Sequence, residues 1–556
     1  MSLPLAFGAI DWAIIAAYML VVLGMGALAS RGQEDSESYW LGGRNMPTWA
    51  VTLSIVATSL SAATYVGVPQ LTYREGGDLS YLILNIGGVL GALWVAVFFL
   101  PRLYRAGTTT IYGVLGQRWG PGATLAASVA FLFGRLLASG ARLFMAGIAF
   151  SLILTGELNT KSIVLAVIVF GVIGTIYTAM GGIRAVIWTD TLQIVLVVGA
   201  AIGALAFLLH EIPLSVGEIM TTLDDNKKLQ VVKTGFVSET EWTFNYGDSM
   251  TLFAAFVVLF QNAGSYGCDQ DLVQRMMTTK SGWRASVSLM LSQLVAMPVV
   301  FLFMVIGLLL SIYYGQPDLM GAAAPTDVLL DDRGVYPQFL VNHMPAGLAG
   351  LAMAGMFAAA MSSLDSAINA MAASLVADIY EPLRRTLKGE AGKSETSEIV
   401  PVAAESETPE GAAEPAIGSP VEAGTDPGAI KTEKAGGKTD ELKAPRIAVV
   451  ATGLLLIGFA VAATYLQASG GKRLIDFALG VMTFALSGLL GVFCAALFTR
   501  RGNVYSVVAA LVTGALLIVF LRWEGTFSWP YWMAIASPIS FGVACAGNPL
   551  NGSSRS

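Results

Sequence analysis

The run MPTWAVTLSIVATSLSAATYVGVP, residues 46–69, is long and apolar enough to cross a bilayer, yet Thr, Ser and Ala fill its middle. A membrane helix satisfies its backbone groups internally over about 20 residues. Small hydroxyl residues at mid-depth therefore indicate either close helix packing or a break in the helix. The run TLFAAFVVLFQNAGSYGCDQDLVQR, residues 251–275, repeats the feature five spans later, turning polar and Gly-rich halfway. Packing accounts for either run alone. A matched pair suits an inverted-repeat transporter, because unwound carbonyls at such breaks coordinate cations.

The rest of the chain agrees with a membrane protein. Of 556 residues, 55% are hydrophobic and only 13% charged, too little polar material to coat several soluble domains. About thirteen apolar runs are mostly long enough to span. They fall near 9–29, 47–68, 79–101, 122–154, 160–181, 184–209, 249–267, 281–312, 343–380, 446–467, 474–498, 504–521 and 528–546. The expected fold is all-α and polytopic. The first run reads as a retained span rather than a cleaved leader, since Asp11 stands where a basic residue belongs.

Lys and Arg concentrate in alternate loops, namely Arg31, Arg44, Arg102, Arg105, Arg118, Arg184, Arg275, Lys280, Arg384, Arg385, Arg500 and Arg501. Held on the inner side, they place the N-terminus in the periplasm and the C-terminus in the cytoplasm of an inner membrane. A net charge of -6 implies no nucleic-acid partner. Cys268, Cys494, Cys545, His210 and His343 show no metal-binding spacing. Residues 386–445 are rich in Glu, Ala, Gly, Pro and Thr and nearly lack aromatics, the composition of a disordered loop. The expected division is therefore spans one to nine over 1–385, a cytoplasmic loop over 386–445, four more spans over 446–548 and a tail over 549–556.

Ala359, Ser362, Ser363 and Ser366 recur at i, i+3, i+4 and i+7, so they line one face of the ninth span. Such a face either offers hydroxyls to a hard cation or bonds back to its own carbonyls. Asp190 and Asp365 lie within spans, where a carboxylate costs about 2.5–3.5 kcal/mol and therefore faces a cation, a partner or water. Arg135 and Arg142, seven residues apart, share a face of the fourth span. Arg135 reads as snorkelling or pairing with a buried acid. Arg142, nearer the middle, either does the same or clamps a carboxylate on the cargo.

The chain resembles the sodium:solute symporter family through ATSLSAATYVG (57–67), GGIRAVIWTDTLQ (181–193), DQDLVQR (269–275) and AAAMSSLDSAINAMAASLVADIY (358–380). The resemblance implies a LeuT-like core of two inverted five-helix repeats, spans two to six and seven to eleven, with one extra helix before and two after. It also implies that sodium drives uptake of a small polar solute by alternating access, without enzymatic chemistry, in a unit that functions as a monomer in the lipid bilayer. By the same resemblance, sodium is held by the carbonyls of Ala57, Leu60 and Ala359 and the hydroxyls of Ser362 and Ser363.

A second sodium would use Asp190, Ser362, Asp365 and Ser366, but Asp365 replaces the serine of two-sodium relatives. It either supplies a stronger ligand, pairs with a cation such as Arg184, or accepts a proton. The implied solute site comprises Ser61, Thr64, Asn85, Arg142, Asn262, Ser265, Tyr266 and Gln270. Galactose-carrying relatives use a lysine of the eighth span and a glutamine of the eleventh. Here those stretches read LSQLVAMPVVFLF (291–303) and FALGVMTFALSG (477–488), so a carboxylated sugar, an organic acid or another polyol is expected. Two alternatives stand beside this reading: proton coupling through Asp190 or Asp365, and a transporter-fold sensor signalling through 386–445.

Overall fold

The structure, a computed structural model, describes residues 8–29, 36–155, 159–236, 243–325, 332–388, 443–467 and 474–547. Its principal helices are α1 (Ala9–Ala29), α2 (Thr48–Ser59), α3 (Ala62–Tyr73), α4 (Asn85–Trp94), α5 (Pro121–Thr155), α6 (Thr160–Glu211) and α7 (Leu252–Cys268). They continue as α8 (Gln270–Met277), α9 (Gly282–Tyr313), α10 (Leu348–Ser374), α11 (Lys443–Gln467), α12 (Leu474–Phe498), α13 (Val504–Glu524) and α14 (Trp529–Ala546). Among the described residues, eight helices are long and apolar enough to cross a membrane, or nine if the bent pair α2/α3 counts as one span. Each apolar run of the sequence coincides with helix. The 386–445 loop lies almost wholly outside the described residues, as does the tail over 549–556. The helical chain before the loop runs on to Leu387, and α11 already starts at Lys443, so the described helix trims the expected loop at both ends.

Both suspected interruptions are real breaks. The helix axis turns by 55° between Thr48–Ser59 and Thr64–Tyr73. Leu60, at φ -90° and ψ 85°, still donates its N–H to Val56. Ser61 then opens α3 by accepting from the N–H groups of Thr64 and Tyr65 at 2.8 and 3.1 Å. In the second half, Asp269 sits between α7 and α8 at φ -93° and ψ 115°. Its Oδ1 accepts the N–H of Asp271 at 3.1 Å, capping α8. Lipid offers nothing to freed backbone groups, so these breaks must lie inside protein, and Leu60 and Asp269 are both buried.

The packing brings the two breaks to the centre. Helix α10 runs along α6 and also touches α2, α3 and α8, while α9 packs on α2 and α3 and α7 on α4. Gly87 and Gly91 let α4 approach α7, since a Cβ on Gly91 would lie 2.7 Å from Asn262 Cβ. The 52-residue α6 is two spans joined at Gly182, with φ 53° and ψ -161°. A side chain there would be strained and would also meet the Tyr39 carbonyl at 2.7 Å.

Two charged groups fasten helix ends. Asp11 of α1 is fully buried and takes the N–H groups of Gly347 and Gly350 on Oδ1 at 2.8 and 2.7 Å, capping α10 from another helix. Outside the spans, the Lys228 ammonium donates to the carbonyls of Thr72, Tyr73, Arg74 and Gly77 at 2.9–3.3 Å, closing the C-terminal end of α3. Burial pushes its pKa below the ordinary lysine value, and the charge of Asp78 opposes that shift.

Asp11→Ala is expected to destabilise the protein by about 1–2 kcal/mol through loss of the cap. Thermal unfolding in detergent measures this as a lower midpoint, and an unchanged midpoint would show that α10 does not depend on the cap.

Candidate functional site

The carbonyl of Ala57 lies in the last turn of α2, where the break at Leu60 interrupts the regular ladder of helical hydrogen bonds. Ser362 of α10 reaches it, Oγ to Ala57 carbonyl 2.9 Å, and the same hydroxyl lies 3.1 Å from the Ala359 carbonyl. The buried Ser363 Oγ has no hydrogen-bond partner among the described residues. Ala57, Leu60, Ala359, Ser362 and Ser363 are all buried. Two backbone oxygens and the Ser362 hydroxyl thus gather where a helix break in one half meets a continuous helix of the other, one residue before the unpartnered Ser363. An orphaned buried hydroxyl is costly in so apolar a setting, and a donor set made only of oxygen suits a hard cation.

Beside this cradle lies a set of buried charges that reading the sequence only partly anticipates. Asp190 Oδ2 accepts from Ser54 Oγ at 2.6 Å and from Arg275 Nη2 at 3.2 Å, whereas its Oδ1 has no partner among the described residues. Arg275 also donates Nε to Ser54 Oγ at 2.9 Å, Nη1 to Asp271 Oδ1 at 2.5 Å and Nη2 to Ser366 Oγ. Asp365 does not pair with Arg184, which is exposed. Its Oδ2 accepts from Tyr177 Oη at 2.6 Å and its Oδ1 from the Ser366 N–H at 2.6 Å. The sequence places Arg275 in an inner loop by its position after α7. The break at Asp269 instead turns α8 inward and buries the guanidinium.

Arg135 pairs with a buried acid, as one reading of the sequence has it: Nη1 lies 2.7 Å from Asp269 Oδ2, and Nη2 contacts Asp271 Oδ2. Arg135 and Asp271 also line a central cavity of about 200 Å³ together with Arg142, Thr64, Asn85, Asn262, Ser265 and Tyr266. Six of the eight residues proposed for the solute meet there. Ser61 and Gln270 do not. Gln270 is buried with Oε1 accepting the N–H of Ile111 at 3.0 Å.

Residues not singled out in the sequence complete the wall: Tyr81, Gln261, Gln293 and Trp529. Tyr266 Oη donates to Gln293 Oε1 at 3.3 Å. Gln293 is a polar side chain within the 291–303 run, a usable signal, and Gln261 directly precedes Asn262 in the polar half of α7. Nothing local marks Trp529, which enters from α14. The amide nitrogens of Asn85 and Asn262 are committed to carbonyls one turn back, Leu82 and Val258.

The sequence pattern that defines the sodium:solute symporter family matches residues 39–404. The sodium/sialic acid symporter SiaT of Proteus mirabilis is 30% identical over 400 residues, covering 72% of this chain and 76% of that protein. The sodium/sialic acid symporter NanT of Aliivibrio fischeri is 24% identical over 518 residues, 93% of this chain and 88% of its own. Among solved structures, a sodium-coupled sialic acid symporter in a substrate-bound outward-open state superposes with a TM-score of 0.75 at 23% identity, over 97% of this chain and 98% of the other. That likeness establishes the shared fold.

Tyr177→Phe removes the hydroxyl on Asp365 Oδ2 and is expected to cost about 1–3 kcal/mol. Combined with Asp365→Ser, which leaves no buried carboxylate to satisfy, the same change should cost much less. Thermal unfolding of the two single variants, the double variant and the parent measures the coupling, and strictly additive losses would show that the two side chains act independently.

Proposed function

The chain belongs to the sodium:solute symporter family, and from that membership and the geometry of its centre we propose which residues bind the ion and what the solute is. The protein is a sodium-coupled secondary carrier and not an enzyme. Sodium is its driving ion, held by the carbonyls of Ala57, Leu60 and Ala359 and the hydroxyls of Ser362 and Ser363. The 2.9 Å approach of Ser362 Oγ to the Ala57 carbonyl carries this assignment, because it brings the two halves within common coordination reach. A site built from both halves is completed only when they hold one particular relation. Ion binding thereby favours one state of an alternating-access cycle.

The proposed solute is a small acid, with sialic acid or a related acidic sugar as the leading case. Support comes from Arg142 and Arg135 in the cavity wall, from the hydroxyl and amide groups of Thr64, Asn85, Asn262, Ser265 and Tyr266 around them, and from two relatives named for sialic acid. Guanidinium groups grip carboxylates bidentately, and hydroxyl and amide groups suit a polyhydroxylated ring. Ser61 and Gln270 are not part of the cavity wall and directly follow the breaks at Leu60 and Asp269. Each sodium moving inward down about 100 mV contributes about 2.3 kcal/mol before any concentration gradient is added. The loop charges support an inner-membrane protein with the N-terminus in the periplasm and the C-terminus in the cytoplasm, and both halves of the site come from one chain, as in a functional monomer.

Ser363→Ala should leave the fold intact and raise the sodium concentration needed for half-maximal uptake by about tenfold, equivalent to about 1.4 kcal/mol. Unchanged sodium activation of uptake in proteoliposomes would count against the cage. Arg142→Ala should abolish uptake of N-acetylneuraminate while sodium still raises the melting temperature. Normal uptake of an acidic solute in that variant would dispose of the clamp.

A further inference from the structure

Five buried charged side chains connect the wall of the solute cavity to the neighbourhood of the ion cradle without a gap. Arg135, in the wall, holds Asp269 at 2.7 Å and also contacts Asp271. Asp271 turns its other oxygen to Arg275 Nη1 at 2.5 Å. Arg275 then spans to Asp190 Oδ2 at 3.2 Å and to Ser366 Oγ. These last two atoms are oxygens that a second cation beside Ser362 would require.

We propose that Arg275 is a tethered cation that fills this second position while the solute cavity is empty, and that Arg135 and Asp271 pass the arrival of an anionic solute to it. This rests on the reading of the cavity and cradle given above and goes beyond it.

The argument is electrostatic. Two guanidinium groups, Arg135 and Arg275, contact three carboxylates, Asp190, Asp269 and Asp271. Buried charge persists only when matched, so this set has room for one monovalent cation beyond its own arginines. A solute carboxylate adds a further negative charge and competes with Asp269 and Asp271 for Arg135. Once Arg135 turns to the solute, Asp271 keeps a single arginine partner and draws Arg275 towards itself, a shift for which the contact to Nη1 is already formed. Asp190 then loses its arginine, Ser366 Oγ is released, and Asp190 Oδ1 is already without a partner among the described residues. Three oxygens thus open to a second sodium only when the cargo is present. The linkage is reciprocal, so that sodium at this position strengthens the hold on the solute.

The test counts radiolabelled sodium bound at saturation to the purified full-length protein in detergent, with no solute added. Arg275→Gln removes the tethered cation, and Arg135→Gln imitates its capture by solute. Each should raise the count, roughly twofold if the parent holds one ion. Arg275→Lys, which restores a positive charge, should return the count towards the parent's. Adding Asp271→Asn to Arg135→Gln should do the same, because a neutral side chain no longer draws Arg275 from Asp190. If Arg275→Gln does not fold, Arg135→Gln and its double variant decide. An unchanged or lower count in the single variants, with normal sodium binding by the parent, overturns the relay. Failure of the parent protein to bind sodium at all overturns the cradle assignment instead.

Discussion

A helix interrupted inside a bilayer leaves polar backbone that hydrocarbon cannot satisfy, and the architecture follows from managing two such interruptions. The break at Leu60 must be covered by something polar yet compact, and α10 supplies it with a face of Ala and Ser packed against α2, α3, α6 and α8. The break at Asp269 is covered by Arg135. Neither answer works unless the helices lie close. Gly87 and Gly91 on one side and the glycine turn at Gly182 on the other provide that closeness. Small residues, broken helices and buried charges are therefore one solution and not three separate features.

The same economy governs the charges. A lone carboxylate such as Asp190 would be poorly tolerated at this depth. It is acceptable here because Ser54 and Arg275 share one of its oxygens. Asp365 is handled without an arginine contact, through a tyrosine hydroxyl and the local backbone. Two acids near one another are thus stabilised by different means. The first shares its arginine with Asp271, whereas the second is bonded by Tyr177 and the N–H of Ser366.

Much of this was legible in the residues. Serines at helical spacing in 362–366, and the polar halves of the runs at 46–69 and 251–275, announce the cradle and both breaks, because periodicity and composition are local properties. The family likeness then pointed to Ala57 and Leu60, which no side-chain chemistry would have singled out, since only their carbonyls are proposed to bind. What local reading misjudged was direction. Arg184 appears near the acids in sequence but faces outward, whereas Arg275 appears to end a helix at a loop and is instead turned into the interior by the φ/ψ values of Asp269. Trp529 reaches the cavity from the last helix, over a sequence distance that no local pattern reports. Gln293, by contrast, was visible as a polar residue within an apolar run.

The clasp of Lys228 on four carbonyls has a mechanical meaning. It ties the loop that carries Lys228 to the C-terminal end of the half-helix α3, so a tilt of that half-helix would carry the loop with it. A ligand or antibody gripping that loop would therefore also restrain the half-helix beside the break at Leu60.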